Sequence, residues 1–307
     1  MTFNELNSVE NYIIHKLSGV NLNANFSDDN LESYNWTYKT PGQINREINN
    51  VIVEEDVKKA LIRLNPEINQ NPVYADEVIY KLKAILSSVN HVGLVRANEE
   101  FFEWLRGDKT MPFGKNNHHI PVRLIDFNDL SNNKYIITNQ FKIKEREIKI
   151  PDVVMMINGI PIVVGEAKTP IRPAVSWLDG AHEIHDIYEN AVPQLFVPNV
   201  LSFATEGKEL FYGGVRTPLQ YWSPWRINED KNDFVKKLNL GEVGEELVDL
   251  LSPEKLLDIL KNFSLFSTNK KKQRSKIICR FQQYEGANKI VERVVEGKEK
   301  KGLIWHF

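Results

Sequence analysis

The sequence predicts an α/β or α+β fold, and three observations lead to it. Residues 1–110 carry apolar side chains at three- and four-residue spacing, the period of amphipathic helices. Between about residues 122 and 214 the spacing falls to two, the alternation of strands, around one helical stretch. Beyond the loop QYWSPWRINEDKND (220–233) the helical period returns. Helices, then strands with an embedded helix, then helices again make a layered α/β or α+β domain.

Taken in order, Asn4 to Lys16 and Glu54 to Leu64 read as helices, the second stopped by Asn65-Pro66. Asn71-Pro72 opens a third, which runs through Ala75, Val78, Ile79 and Leu82 to about Leu86. LVRANEEFFEWL (94–105) is a fourth, closed by Gly107. VRLIDF (122–127) and KYIITNQFKI (134–143) alternate as strands, and PDVVMMINGIPIVVGEAK (151–168) is a hairpin about Asn158-Gly159. A helix follows from Trp177 to about Asn190, ended by Pro193. VLSFATEG and KELFYGG (200–214) form a second hairpin across Glu206-Gly207-Lys208. Ser252-Pro253 caps a helix to about Asn262, and the basic run KKKQRSK (270–276) precedes a last helix from about Arg280 to Val295. The final GLIWHF reads as the start of a buried strand.

Composition narrows the function. Hydrophobic residues at 42% and charged residues at 26% are those of a folded globular chain. The net charge of −2 requires any nucleic-acid site to be a local patch. A single cysteine, Cys279, excludes an internal disulfide framework and a cysteine-rich zinc site. The polar, acidic start MTFNELNSVE is no signal peptide, and no apolar run approaches the roughly 20 residues of a membrane span. A cytoplasmic protein without membrane association is expected.

The first hairpin carries the chemistry. Its apolar strands hold only three charges, Asp152, Glu166 and Lys168, although an ionised group in a core is costly unless paired or metal-bound. Glu166 and Lys168, two apart on a strand, leave the same face. A two-residue turn at Asn158-Gly159 would set Asp152 opposite Gly165 and put Glu166 on the other face. A three-residue loop with Gly159 in a left-handed bulge pairs Met156 with Ile160 and brings all three onto one face. That loop, or an equivalent irregularity near Asp152, is the expectation. Converging carboxylates suit magnesium, with manganese as a substitute, and Lys168 would orient or deprotonate the attacking water or stabilise charge on a phosphate. Glu-x-Lys alone is weak, since it occurs six times in the chain. From the residues alone two readings stand: a phosphodiester-hydrolysing site, and a structural ion pair at a strand end.

The hairpin PDVVMMINGIPIVVGEAKTP resembles the nuclease core of the restriction subunit of type I restriction–modification enzymes, a branch of the PD-(D/E)xK nucleases. ANEEFFEWLRG (97–107), VRLIDF, the NQF of Asn139 to Phe141, VPQLFVPN (192–199) and SFATEG (202–207) are similar to that family in the same order. RFQQYEGANKIVERV (280–294) and KGLIWHF resemble the entry into its first RecA-like motor domain. The resemblance covers about residues 43–307. It implies a PD-(D/E)xK nuclease domain over 1–252, a mixed sheet flanked by helices, with a mainly helical part (1–110) and a sheet core bearing the site (111–252), then the start of a motor domain over 253–307.

The resemblance also implies roles. Asp152 and Glu166 would be metal ligands, Lys168 the catalytic lysine, and Glu100 a supporting acid. Tyr188 matches the tyrosine of a QxxxY motif, but the position four before it is Ile184. Gln283, with Gln282 as a register alternative, would read adenine. No GxxxxGK[ST] occurs in the sequence, which ends where the family would supply that phosphate-binding loop. The chain thus reads as the N-terminal part of a longer motor-nuclease, with ATP bound only by the full-length subunit. Its implied partners are double-stranded DNA and the methylation and specificity subunits.

Other residues keep bland readings beside sharp ones. His182 and His185, three apart on a helix, are a zinc pair or helix-face histidines without a further ligand set. The 270–276 run touches DNA phosphates or is a solvated linker. Trp222 and Trp225 stack on bases or pack in the core. Rival functions are a repair-type exonuclease or nickase of the same superfamily, a non-catalytic docking module for DNA or the methyltransferase core, and an adenine-nucleotide sensor.

Overall fold

The computed structural model describes residues 9–22, 35–169, 175–226, 242–298 and 301–302. The described helices are α1 (Asn11–Ser18), α2 (Glu54–Leu64), α3 (Pro66–Gln70), α4 (Val73–Val92), α5 (Leu94–Arg106), α6 (Trp177–His182), α7 (Glu189–Ala191), α8 (Pro193–Phe196), α9 (Glu242–Leu250), α10 (Pro253–Asn262) and α11 (Phe281–Glu296). A π-helical stretch, Glu183–Tyr188, joins α6 to α7. The strands are β1 (Thr37–Tyr38), β2 (Thr110–Met111), β3 (Ile120–Pro121), β4 (Tyr135–Asn139), β5 (Ile143–Lys144), β6 (Ile148–Lys149), β7 (Val153–Ile157), β8 (Ile160–Ala167), β9 (Leu201–Thr205), β10 (Leu210–Gly213), β11 (Ser223–Pro224), β12 (Ser264–Thr268) and β13 (Arg274–Ile278).

Seven strands make one mixed sheet in the order β1-β4-β7-β8-β9-β10-β11. The pairs β1/β4 and β8/β9 are parallel and the others antiparallel. The parallel step from β8 to β9 requires a crossover, which the α6–α8 segment supplies. Every residue of β7, β8 and β9 is buried, as expected of central strands covered on both faces. α1 packs on β1 and β4, and α6 on β8 and β9. Phe101, Phe102, Phe141, Phe196, Phe203 and Trp225 are fully buried in one continuous core. Each such side chain contributes roughly 1.5–3 kcal/mol.

The predicted helices form where their apolar spacing places them. α5 buries Leu94, Ala97, Asn98, Phe101, Phe102, Trp104 and Leu105 along one face and ends at left-handed Gly107. α4 runs beyond its expected end to Val92. Residues 4–8 of the first expected helix, and all but Gly302 of GLIWHF, lie outside the described residues.

Two strand expectations and one linker expectation need correction. VRLIDF (122–127) is not a strand, because side chains take its backbone groups: Asn65 bonds both the N–H and the carbonyl of Arg123, and Asn133 bonds both the N–H and the carbonyl of Asp126. KYIITNQFKI is not continuous, since Gln140 turns left-handed at φ 46° and ends β4. The run 270–276 is not a linker. Lys270–Lys272 lie in an exposed turn, and Arg274–Ile278 pairs antiparallel with Ser264–Thr268. That hairpin packs on α5 through a salt bridge of Arg274 with Glu99, and through Lys276, which is 4% exposed. Lys276 donates to the carbonyls of Asn199 and Val200 at 2.6 and 2.8 Å.

Candidate active site

The hairpin β7–β8 closes on a two-residue turn, not the expected three-residue loop. Ile157 faces Ile160, and Asn158 and Gly159 take φ values of 52° and 81°, the type I′ pattern. Asn158 is buried here. Its amide bonds the Leu124 carbonyl, while its oxygen accepts from the N–H of Lys134. The one-residue offset lies further along β8. Met156 pairs with Pro161 but Met155 with Val163, so Ile162 is the extra residue of a bulge. Pro161 suits that place, because an irregular pair does not need its missing N–H. Val153 then faces Gly165, and the next pair outward is Asp152 and Glu166. The parity argument needed one extra residue; it sits in the strand.

Asp152, Glu166 and Lys168 therefore meet. The Asp152 N–H approaches Glu166 Oε2 at 3.5 Å, and Asp152 Oδ2 accepts from the Ala167 N–H at 2.9 Å. Lys168 Nζ lies 3.0 Å from Glu166 Oε1. Glu166 is 2% exposed, and burial first, then the charge of Asp152, pushes its carboxyl well above the ordinary range. Burial also raises Asp152, against the Ala167 N–H bond and the Lys168 charge. For Lys168, burial alone would lower the ammonium, but Glu166 and Glu183 outweigh it and hold it above its ordinary value.

Two further acids join the cluster, and the sequence reading missed both. Glu183 Oε2 takes a 2.5 Å ion pair from Lys168, and its Oε1 accepts from the Tyr188 hydroxyl at 2.8 Å. The π-helical stretch creates this arrangement: it adds a residue to the turn, so the position five before Tyr188 shares its face. Ile184, four before, is fully buried in the core instead. Glu10, 1% exposed, accepts from the amides of Asn139 at 2.6 Å and Gln140 at 2.7 Å. The Gln140 amide also donates to Asp152 Oδ1 at 3.1 Å, and the left-handed backbone at Gln140 aims it there.

The remaining candidates stand apart. Glu100 is exposed on α5, and among the described residues no hydrogen bond or ion pair joins it to the hairpin acids. Its neighbour Asn98 is the buried polar group, donating to the carbonyls of Phe196, Val197 and Asn199. Gln283 accepts from the Arg280 N–H and caps α11, and Gln282 is exposed. His182 and His185 each bond Asp186 at 2.6 Å. Trp222 and Trp225 are buried, with Trp225 against Tyr212, Phe281 and Tyr284.

Residues 19–221 match the family model described as type I restriction enzyme R protein N terminus. The chain is 28% identical over 293 residues to the type I restriction enzyme HindI endonuclease subunit of Haemophilus influenzae, covering 90% of this chain and 27% of that protein. It is also 28% identical over 291 residues to a putative type I restriction enzyme MjaVIIIP endonuclease subunit of Methanocaldococcus jannaschii, covering 91% of this chain and 26% of that one. The chain thus spans about a quarter of the length of these curated relatives. With two thirds of its residues inside the family model, the chain belongs to the type I restriction enzyme R protein N-terminus family.

Proposed function

We propose that this chain is the nuclease part of a type I restriction enzyme subunit, in which Asp152, Glu166 and Lys168 hydrolyse DNA phosphodiesters in the PD-(D/E)xK manner. One observation carries the reading: two carboxylates and a lysine converge at the end of an otherwise apolar buried hairpin. The kinship with endonuclease subunits supports it.

The donor set fits magnesium or manganese. Asp152, Glu166 and Glu183, with Glu10 behind Gln140, outnumber Lys168 and leave an excess of negative charge when ionised, which a divalent cation would offset. Among the described residues no group of three or more His, Cys, Asp or Glu makes a ready cage. Magnesium needs only one or two carboxylates and completes its shell with water and phosphate. Asp152 and Glu166 would hold it, and when bound it supplies charge neutralisation at the phosphoryl oxygen and a more acidic water.

The chain's own residues do the rest. Lys168 stands beside Glu166 and Glu183, where it would stabilise charge on the phosphate or orient the attacking water. Gln140 and the Ala167 N–H fix the Asp152 carboxylate, and β8 with the residue after it presents Glu166 and Lys168 to one place. In the full-length subunit, ATP-driven translocation and the methylation and specificity subunits would bring DNA to this centre, with residues 253–307 leading into a RecA-like motor domain. Among the described residues no helix is long and apolar enough to cross a membrane.

The test is Lys168→Ala in the full-length subunit assembled with its partners on circular DNA. Loss of cleavage with ATP hydrolysis retained supports the reading. Unchanged cleavage moves the chemistry elsewhere and favours a docking role.

A further inference from the structure

Lys168 lies between two carboxylates that are held very differently. Glu166 Oε1 meets Lys168 at 3.0 Å and the Tyr188 hydroxyl at 3.5 Å, and its Oε2 takes the long 3.5 Å approach of the Asp152 N–H. Glu183 has both oxygens committed at short range, Oε2 to Lys168 at 2.5 Å and Oε1 to Tyr188 at 2.8 Å. A carboxylate with loosely held oxygens beside Asp152 can turn to a cation. One with a lysine on one oxygen and a hydroxyl on the other is held in its orientation by both bonds, and turning to a cation would strain them.

The backbone supports the same division. Glu166 comes from the rigid centre of the sheet, flush with Asp152. Glu183 comes from the crossover, at the first position of a π-helical stretch, and π turns are concentrated at functional places in helices. With ordinary helical spacing Ile184 would take the position facing Tyr188, and Ile184 is fully buried. The extra residue in the turn lets the crossover fill the core with Ile184 and still present an acid to the sheet.

We propose that Glu183 is the permanent anchor of Lys168, a positioning residue that keeps the ammonium aimed into the site when Glu166 is drawn away to a cation. This rests on the reading of Asp152 and Glu166 as cation ligands. It adds a division of labour among the acids: Glu166 serves the ion, and Glu183 serves the lysine. The Tyr188 hydroxyl holds Glu183 by donating to its second oxygen, so Tyr188 acts at one remove from Lys168. Restraining one terminus of a long flexible side chain is the ordinary requirement for a preorganised charge.

The test needs neither metal nor turnover. Glu166→Gln neutralises the ion's carboxylate as a bound cation would. Acylation of individual lysines by acetic anhydride is then followed by mass spectrometry in the Glu166→Gln chain and in the Glu166→Gln/Glu183→Ala double variant. Exposed Lys298 serves as the reference, and buried Lys276 reports any loss of fold. The anchor predicts that Lys168 stays protected in the single variant and reacts about tenfold faster or more in the double variant, the loss of one charge-assisted hydrogen bond. Glu183→Gln in the same background should restore part of the protection, because its amide oxygen still accepts from Lys168. Equal Lys168 rates in the single and double variants, with Lys276 unreactive in both, overturn the proposal. Calorimetry of manganese with Glu183→Gln separates this from the site reading. Binding kept in that variant but lost in Glu166→Gln confirms the division of labour. Binding lost in both makes Glu183 a ligand and overturns the anchor. A wild-type chain without a manganese site counts against the cation reading, while the acylation rates still decide the anchor.

Discussion

Replacing Glu10 with glutamine should flatten the pH dependence of stability in a defined window. Glu10 is 1% exposed, and burial lifts its carboxyl from 4.5 to about 7 despite hydrogen bonds from Asn139 and Gln140, with Asp152 adding repulsion. The folded state therefore keeps a proton that the unfolded chain releases between these values. The corresponding stability is present in full below pH 4.5 and is lost as pH rises to about 7. A difference of 2.5 units, at about 1.36 kcal/mol each, makes the loss about 3 kcal/mol. Glutamine does not titrate, so Glu10→Gln removes this slope, although its amide meets two donors and lowers stability somewhat at acid pH. Urea denaturation of both chains at pH 4.5 and pH 8 measures the difference. The variant-minus-wild-type stability should rise by about 3 kcal/mol between them. Glu189, raised to about 8 by burial, titrates in both chains and cancels. Parallel stability curves would refute the assignment of a shared, buried proton to Glu10.

Two smaller tests address the scaffold that carries the site. A methyl group at Gly165 would sit 2.2 Å from Cζ of the fully buried Phe203, so Gly165→Ala should cost about 1–3 kcal/mol in urea denaturation, and Phe203→Leu in the same chain should recover part of it. Asn98→Ala orphans buried carbonyls after α8 and should lower stability by about 1–3 kcal/mol, whereas Glu100→Ala on the exposed face should stay within about 0.5 kcal/mol.

The parts of this fold that were legible are those set by local period and punctuation. α2 and α5, ended by Asn65-Pro66 and Gly107, lie where their apolar spacing and stop signals put them. The convergence of the hairpin's three charges was legible too, because charged residues in apolar strands are costly unless they share a face. The irregularity does not lie at Gly159, where the turn residues suggest it; Pro161, the residue least able to continue a regular ladder, marks the bulge at Ile162. Glu10 was invisible because its partner Asn139 is 129 positions away and nothing local announces the contact. Glu183 was missed for another reason. The tyrosine motif was measured with four-residue spacing, and the π turn makes it five. In VRLIDF the alternation is real, but Asn65 and Asn133 take the backbone groups a ladder needs.

The measurement that bears most directly on the account is a calorimetric titration of manganese into the chain with a short DNA duplex, comparing wild type with Asp152→Ala. The account predicts one saturable site in the wild type that disappears in the variant, which places the ion on the hairpin face. Matching saturable curves in both chains would contradict it, because the cation would then lie away from Asp152 and Glu166.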